Sequence, residues 1–201
     1  MAADLRRVVL ATANRGKLAD FRHLFEGTGI ELMLAADVGV NIDVEETGAT
    51  FLENALLKAR AVGAAAGLPT LADDSGITVY ALGGEPGVYS ARYAGPVCDD
   101  HANNLKLIER LRGIDDRRAA FVCALALVLT GGVEIVAEGR CEGVVIDEER
   151  GANGFGYDSV FYRDDLGRTF GEATPEEKNA RSHRGTAVRA LLERLRVRGL
   201  L

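Results

Sequence analysis

Cysteine is scarce in this chain. Cys98, Cys123 and Cys141 make an odd count with no Cys-x-x-Cys pair, so a reducing cytoplasm is the simplest context. No apolar run is long enough to span a bilayer. The longest, Ala119–Leu129, has about the length of a buried strand. No signal peptide is legible, because the N-terminus moves straight into a strand pattern. Repeats, low-complexity segments and linkers are missing too. Basic residues are outnumbered, 24 Lys and Arg against 30 Asp and Glu, which gives a net charge of −6. That balance argues against a general nucleic-acid or anionic-membrane binder, whose field would be basic. An acidic protein that binds a phosphate compound needs a local basic grip, a metal ion, or both.

What is present fits a globular protein. The 201 residues are 47% hydrophobic and 27% charged, enough for a real core. Arg7–Thr12 reads as a buried strand. Leu18, Phe21, Leu24 and Phe25 then share one helix face. Thr50-Phe51-Leu52-Glu53 has capping-box spacing and opens a helix that Gly67 ends. Thr70–Ala72 reads as a short strand running into an Asp73–Gly76 turn. Asp99–Leu111 is helical, and Ala119–Leu129 is apolar on both faces, as in a central strand. Thr130-Gly131-Gly132 turns into a strand over Val133–Arg140, and Gly143–Asp147 and Ser159–Tyr162 add two more. Thr174-Pro175-Glu176-Glu177 is a second capping box, and the last helix covers about Thr186–Arg196. The order of elements predicts an α/β fold with a mixed sheet, built as a single domain over residues 1–201.

Four segments carry chemistry. Gly151–Asp158 sets two aromatic rings and a carboxylate among glycines, which suits a floor for a flat heterocycle; the plain alternative is a glycine-rich turn. Thr12-Ala13-Asn14-Arg15-Gly16-Lys17 links a strand to a helix whose free N–H groups and partial positive charge suit phosphate. It is not a Walker A loop, since the upstream glycine is missing and Leu18 follows the lysine. Asp73-Asp74 sets like charges side by side, a repulsion that a hard cation would relieve. Glu45-Glu46 is a second acidic pair; the alternatives are a capped turn and a solvated loop. Strand alternation lets only one member of each pair face a shared ion. Lys178–Arg184 is rich in donors, with His183 and Arg184 adjacent. Together these spell a nucleoside triphosphate bound through Mg²⁺.

At these segments, and at Phe51–Ala55, Gly83–Gly87 and Tyr89–Tyr93, the chain resembles the inosine triphosphate pyrophosphatase family, the RdgB-like (d)ITP/XTP pyrophosphatases, over nearly its whole length. The resemblance implies an elongated mixed β-sheet flanked by helices, with two lobes and a central cleft. It implies a cytoplasmic homodimer that cuts ITP, dITP and XTP to the monophosphate and pyrophosphate with Mg²⁺. Asp74 would be the key acid and, with Glu45, a metal ligand. Thr12, Ala13, Asn14, Arg15, Gly16 and Lys17 would hold the phosphates, and Ser75 would contact the substrate. Phe155 would stack on the base, with Gly156, Tyr157 and Asp158 around it. Lys178, His183 and Arg184 would complete the nucleotide contacts, and Lys58 could reach a phosphate. Two rival readings are a Maf-like pyrophosphatase, which lacks the Phe155–Asp158 and Ser182–Arg184 segments, and a nucleotide sensor, which needs no acidic metal pair.

Overall fold

A computed structural model describes residues 5–12 and 14–201 and, at Arg15, the backbone alone. Among the described residues, strands β1 (Arg7–Leu10), β2 (Glu31–Leu34), β3 (Thr70–Val79), β4 (Arg118–Val128), β5 (Glu134–Val145), β6 (Phe161–Arg163) and β7 (Arg168–Thr169) form one sheet in the order β2-β1-β3-β4-β5-β6-β7. β1 runs parallel to β2 and β3, while β6 runs antiparallel to β5 and β7. The sheet is mixed, as expected. Helices are α1 (Arg15–Leu24), α2 (Phe51–Ala66), α3 (Asp100–Arg110), α4 (Pro175–Arg181) and α5 (His183–Val197).

The chain divides into two units, and the divisions fall inside β3, β4 and β5 and at the first residue of α5. The first unit comprises residues 1–74, 123–139 and 184–201. Period-two alternation gives its strands two covered faces. Val8, Leu10, Leu71, Cys123, Leu125 and Leu127 join Phe21 and Phe25 of α1 and Val188, Leu191 and Leu195 of α5. Val9, Ala11, Ala72 and Ala126 face the other way, with Ala55, Ala59 and Val62 of α2. The small residues on that second face let α2 lie close. α2 carries the capping box read from the sequence, with both bonds made between Thr50 and Glu53, and Gly67 closes it at φ 64°.

The second unit comprises residues 75–122 and 140–183. Its core gathers Ile77, Val79, Leu107, Leu111, Tyr157, Phe161 and Phe170. Phe121 meets Phe161 with ring centroids 4.5 Å apart, tilted at 53°. α4 starts at a second complete capping box, Thr174 with Glu177. Cys98 is exposed, whereas Cys123 and Cys141 are buried.

Two boundaries differ from the sequence reading. Asp73-Asp74-Ser75-Gly76 is no turn: it continues β3, which runs unbroken over Thr70–Val79. Gly76 is there for close packing, because a Cβ at that position would sit 2.2 Å from Ser90 Oγ. Likewise β5 is one long strand instead of two. A Cβ on Gly143 would come within 2.6 Å of the Phe161 ring, so that glycine makes room for β6. Both glycines look like breaks in the sequence and act as contact points in the fold.

Candidate active site

In the first unit, β3 carries Asp73 and Asp74 to opposite faces of the sheet. Asp73 follows Leu71 toward α1 and α5; Asp74 follows Ala72 toward α2. The two carboxylates therefore meet different partners. Asp73 is 1% exposed, and its Oδ2 lies 2.9 Å from Lys17 Nζ and 3.9 Å from Arg184 Nε. Burial alone would raise its pKa, but the charges of Lys17, Arg184 and Lys58 outweigh that and hold it at about 2. Arg184, on the first turn of α5, also reaches Asp20 Oδ2 at 3.3 Å.

Asp74 is 6% exposed and accepts a hydrogen bond from Asn54 Nδ2 at 3.1 Å. Lys58 Nζ stands 3.6 Å from its Oδ1 and 2.7 Å from Glu46 Oε1. Desolvation pushes the Asp74 carboxyl upward, Lys58 opposes that only in part, and Glu46 adds to the rise. Lys58 is held charged: burial favours its neutral form, but Asp73, Asp74 and Glu46 together raise its pKa. Asn54 and Lys58 are four residues apart on α2, so they share a face. Asn54 is fixed from behind, since Gly48 N donates to its Oδ1 at 2.8 Å.

Asn14 is the N-cap of α1, and its Oδ1 accepts from Lys17 N at 3.0 Å. Asn14 N in turn donates to Thr12 Oγ1 at 3.2 Å. These side chains shape the helix entrance. The first turn of α1 carries no acidic residue to compete with an anion. Ala13 lies outside the described residues.

In the second unit, Gly151, Gly154 and Gly156 all take left-handed φ angles, of 82°, 78° and 62°. Phe155 is half-buried on this loop, and its N–H donates to Asp158 Oδ2 at 2.9 Å. Lys178 Nζ binds the same oxygen at 2.8 Å and stands 4.8 Å from the centroid of the Phe155 ring. Lys178 and Asp158 are both buried. Tyr157 turns into the core, where its hydroxyl donates to Ser90 O at 2.8 Å. His183 is 2% exposed and stacks on Phe121, with centroids 4.8 Å apart and planes 15° apart. Ser75 is half-buried on β3.

The structure thus groups Lys17, Asp74 and Arg184 in the first unit with Asp20, Glu46, Asn54, Lys58 and Asp73, and groups Phe155, Asp158 and Lys178 in the second. Glu45 is exposed, and it is Glu46 that turns to Lys58. Sequence reading missed the parts played by Asn54 and Asp20. For Asn54 a signal existed, a polar residue one turn before Lys58 on a largely apolar helix; for Asp20, on the polar side of α1, none did.

The groups near Asp74 that could bind a hard cation are carboxylate oxygens, its own and those of Glu46, which Lys58 also holds. Among the described residues no cluster of three or more His, Cys, Asp and Glu is arranged to hold a metal. One or two carboxylates are what Mg²⁺ takes when substrate phosphates and water complete its shell, and the upward-shifted Asp74 carboxyl is a group that such a charge would keep ionised.

The chain belongs to the Ham1 family, whose model matches residues 8–194. A dITP/XTP pyrophosphatase of Thermus thermophilus is 51% identical over 189 residues, covering 93% of this chain and 90% of that protein. One of Burkholderia pseudomallei is 50% identical over 194 residues, covering 94% and 93%. The solved structure of the Staphylococcus aureus Ham1 protein superposes with a TM-score of 0.86 at 41% identity, over 96% of this chain and 99% of that one.

Proposed function

We propose that this chain is a nucleoside triphosphate pyrophosphohydrolase that converts ITP, dITP and XTP to the monophosphate and pyrophosphate, cleansing the nucleotide pool of deaminated purines. The observation that carries this reading is the division of labour on β3. One carboxylate is buried between Lys17 and Arg184, and its neighbour is held by Asn54 and Lys58 with its pKa raised. The relatives named dITP/XTP pyrophosphatase support the substrate class.

On this reading the entrance of α1, with Thr12, Ala13, Asn14, Arg15, Gly16 and Lys17, takes the polyphosphate. Asp74 and Glu45 would hold Mg²⁺, which would supply charge neutralisation of the phosphate oxygens and alignment of water. Asp74 accepts the proton of the attacking water, a task suited to a carboxylate with a raised pKa. Lys58 keeps that carboxylate in place. Phe155 stacks on the purine, with Gly156 and Asp158 beside it, and Ser75, Lys178, His183 and Arg184 complete the contacts. Tyr157 supports the loop from the core side. Selection against adenine follows from hydrogen-bond sign: hypoxanthine and xanthine present O6 as an acceptor, whereas adenine presents a donor that leaves protein donors unpaired; guanine shares O6, so its rejection depends on the 2-position. The active species is a cytoplasmic homodimer. Among the described residues, no helix is long and apolar enough to cross a membrane.

The test is pyrophosphate release from ITP, XTP, GTP and ATP by the purified chain with Mg²⁺. Rapid release from the first two and slow release from the last two is expected. Orthophosphate as the product, or equal rates on all four, would overturn the proposal.

A further inference from the structure

The loop that carries Phe155 is gripped from a side that the nucleotide contacts do not explain. A recess of about 330 Å³ is lined by Asp100, Asn104, Glu149, Phe155, Gly156 and Ser159 among others. Side-chain packing is therefore thin along this stretch of the loop. Gly156 sits at φ 62°, and a glycine peptide turns over at little cost. Something other than packing must hold it.

Two side chains of α3 do so. Gly156 N donates to Asp100 Oδ2 at 2.7 Å. Gly156 O accepts from Asn104 Nδ2 at 3.1 Å. Asp100 and Asn104 are four residues apart, so one face of α3 takes both polar groups of a single glycine. Asn104 is 1% exposed and is itself fixed, because its Nδ2 also donates to Glu149 Oε1 at 2.6 Å. Ser159 Oγ donates to the same Glu149 oxygen at 3.1 Å. Ser159 Oγ stands as close to Asn104 Nδ2 as Gly156 O does, at 3.1 Å, so the two amide hydrogens are shared among Glu149, Gly156 and Ser159.

We propose that Asp100 and Asn104 are positioning residues that set the specificity of the base site, by clamping Gly156 so that the Phe155 ring is presented in one orientation. This rests on the proposed stacking of the purine on Phe155. The clamp acts before substrate arrives: it removes the entropy of an otherwise loose glycine loop from the cost of binding. Its loss therefore weakens base recognition and leaves the phosphate grip alone.

The experiment compares Asp100→Ala, which removes the acceptor, with Asp100→Asn, which keeps an oxygen there and matches the loss of charge on the first turn of α3. Hydrogen exchange over residues 151–158 reads the clamp without any substrate. It should accelerate about tenfold in D100A and return most of the way in D100N, as for the loss of one charge-assisted hydrogen bond. In D100A the KM for ITP should rise about tenfold with kcat within twofold, and the preference for ITP over ATP should shrink, while inhibition by Mg²⁺-tripolyphosphate stays as in the parent. Equal exchange in D100A and the parent would remove the clamp. Faster exchange with an unmoved ITP KM, or equal weakening toward tripolyphosphate, would remove its positioning role. If the parent chain fails to cleave ITP, the proposed function falls, and the exchange measurement still decides whether α3 holds the loop.

Discussion

The charged cluster of the first unit and the aromatic loop of the second are built on opposite plans. Lys17, Asp73, Asp74, Lys58 and Arg184 all project from helices or from a strand inside the sheet. Their backbones are fixed by regular hydrogen bonding, and precision comes from long side chains meeting at 2.9 to 3.9 Å. Phe155 instead rides on an irregular segment with three left-handed glycines, fixed by side chains that reach its backbone from Asp158, Asp100 and Asn104. Balancing buried charge demands a stiff frame, because an unpaired ion in low dielectric is costly. Approaching a flat ring closely demands bare main chain, which only glycine supplies.

Variants can break this comparison at either end. The largest effect should come from Asp74→Asn, which should lower turnover of ITP about 10²- to 10⁴-fold while nucleotide binding partly survives. Isothermal titration beside pyrophosphate release checks both halves, and near-normal turnover would take Asp74 out of the chemistry. Asp73→Asn should act on the fold as well, leaving Lys17 without its buried counter-charge and Arg184 with Asp20, at a cost of about 3–5 kcal/mol in urea unfolding. The acid limb sharpens this. With a folded pKa of about 2, below the ordinary carboxylate value, Asp73 contributes stability that is complete above about pH 5 and is lost as pH falls toward 2. D73N should unfold with a flatter dependence over that window.

On the loop side, Phe155→Ala should raise the KM for ITP about 10- to 100-fold by loss of stacking, with tripolyphosphate inhibition unaltered. Gly154→Ala should do less to catalysis and something to stability. Its Cβ would lie 2.2 Å from Asp158 Oδ2 at a backbone φ of 78°, at a cost of about 1–3 kcal/mol in thermal unfolding. The smallest change belongs to Thr50→Ala, which removes a cap of α2 worth about 1 kcal/mol and should move Tm with little change in ITP preference.

Much of the frame was legible because it rests on local rules. Both capping boxes, the α1 face and the two-sided β4 pattern follow from residue type and spacing, and each is present. Of the segments read as candidate chemistry, the structure brings Lys17 of the strand–helix link against Asp73 and sets Asp74 beside Lys58. What escaped reading was tertiary. Gly76 and Gly143 look like turns until Ser90 and Phe161 are seen beside them. The sequence says that one of Asp73 and Asp74 must face away, but the choice follows from β3 lying between helices that bring Lys17 and Arg184 to one face and Asn54 to the other. The last helix starts earlier than its apolar residues suggest, which puts His183 and Arg184 on its first turn. Asp100 and Asn104 gave no sign at all, because their partner is a backbone far along the chain.

The distribution of thiols has a practical outcome. Burial raises the pKa of Cys123, whose sulfur lies within the electrostatic reach of Asp73, and lifts that of Cys141 to about 11. Cys98 alone is exposed. A maleimide dye should therefore couple once to the native chain and three times after denaturation, making label stoichiometry by mass spectrometry a direct gauge of how often the interior opens, with the fluorophore attached well apart in sequence from both β3 and the Phe155 loop.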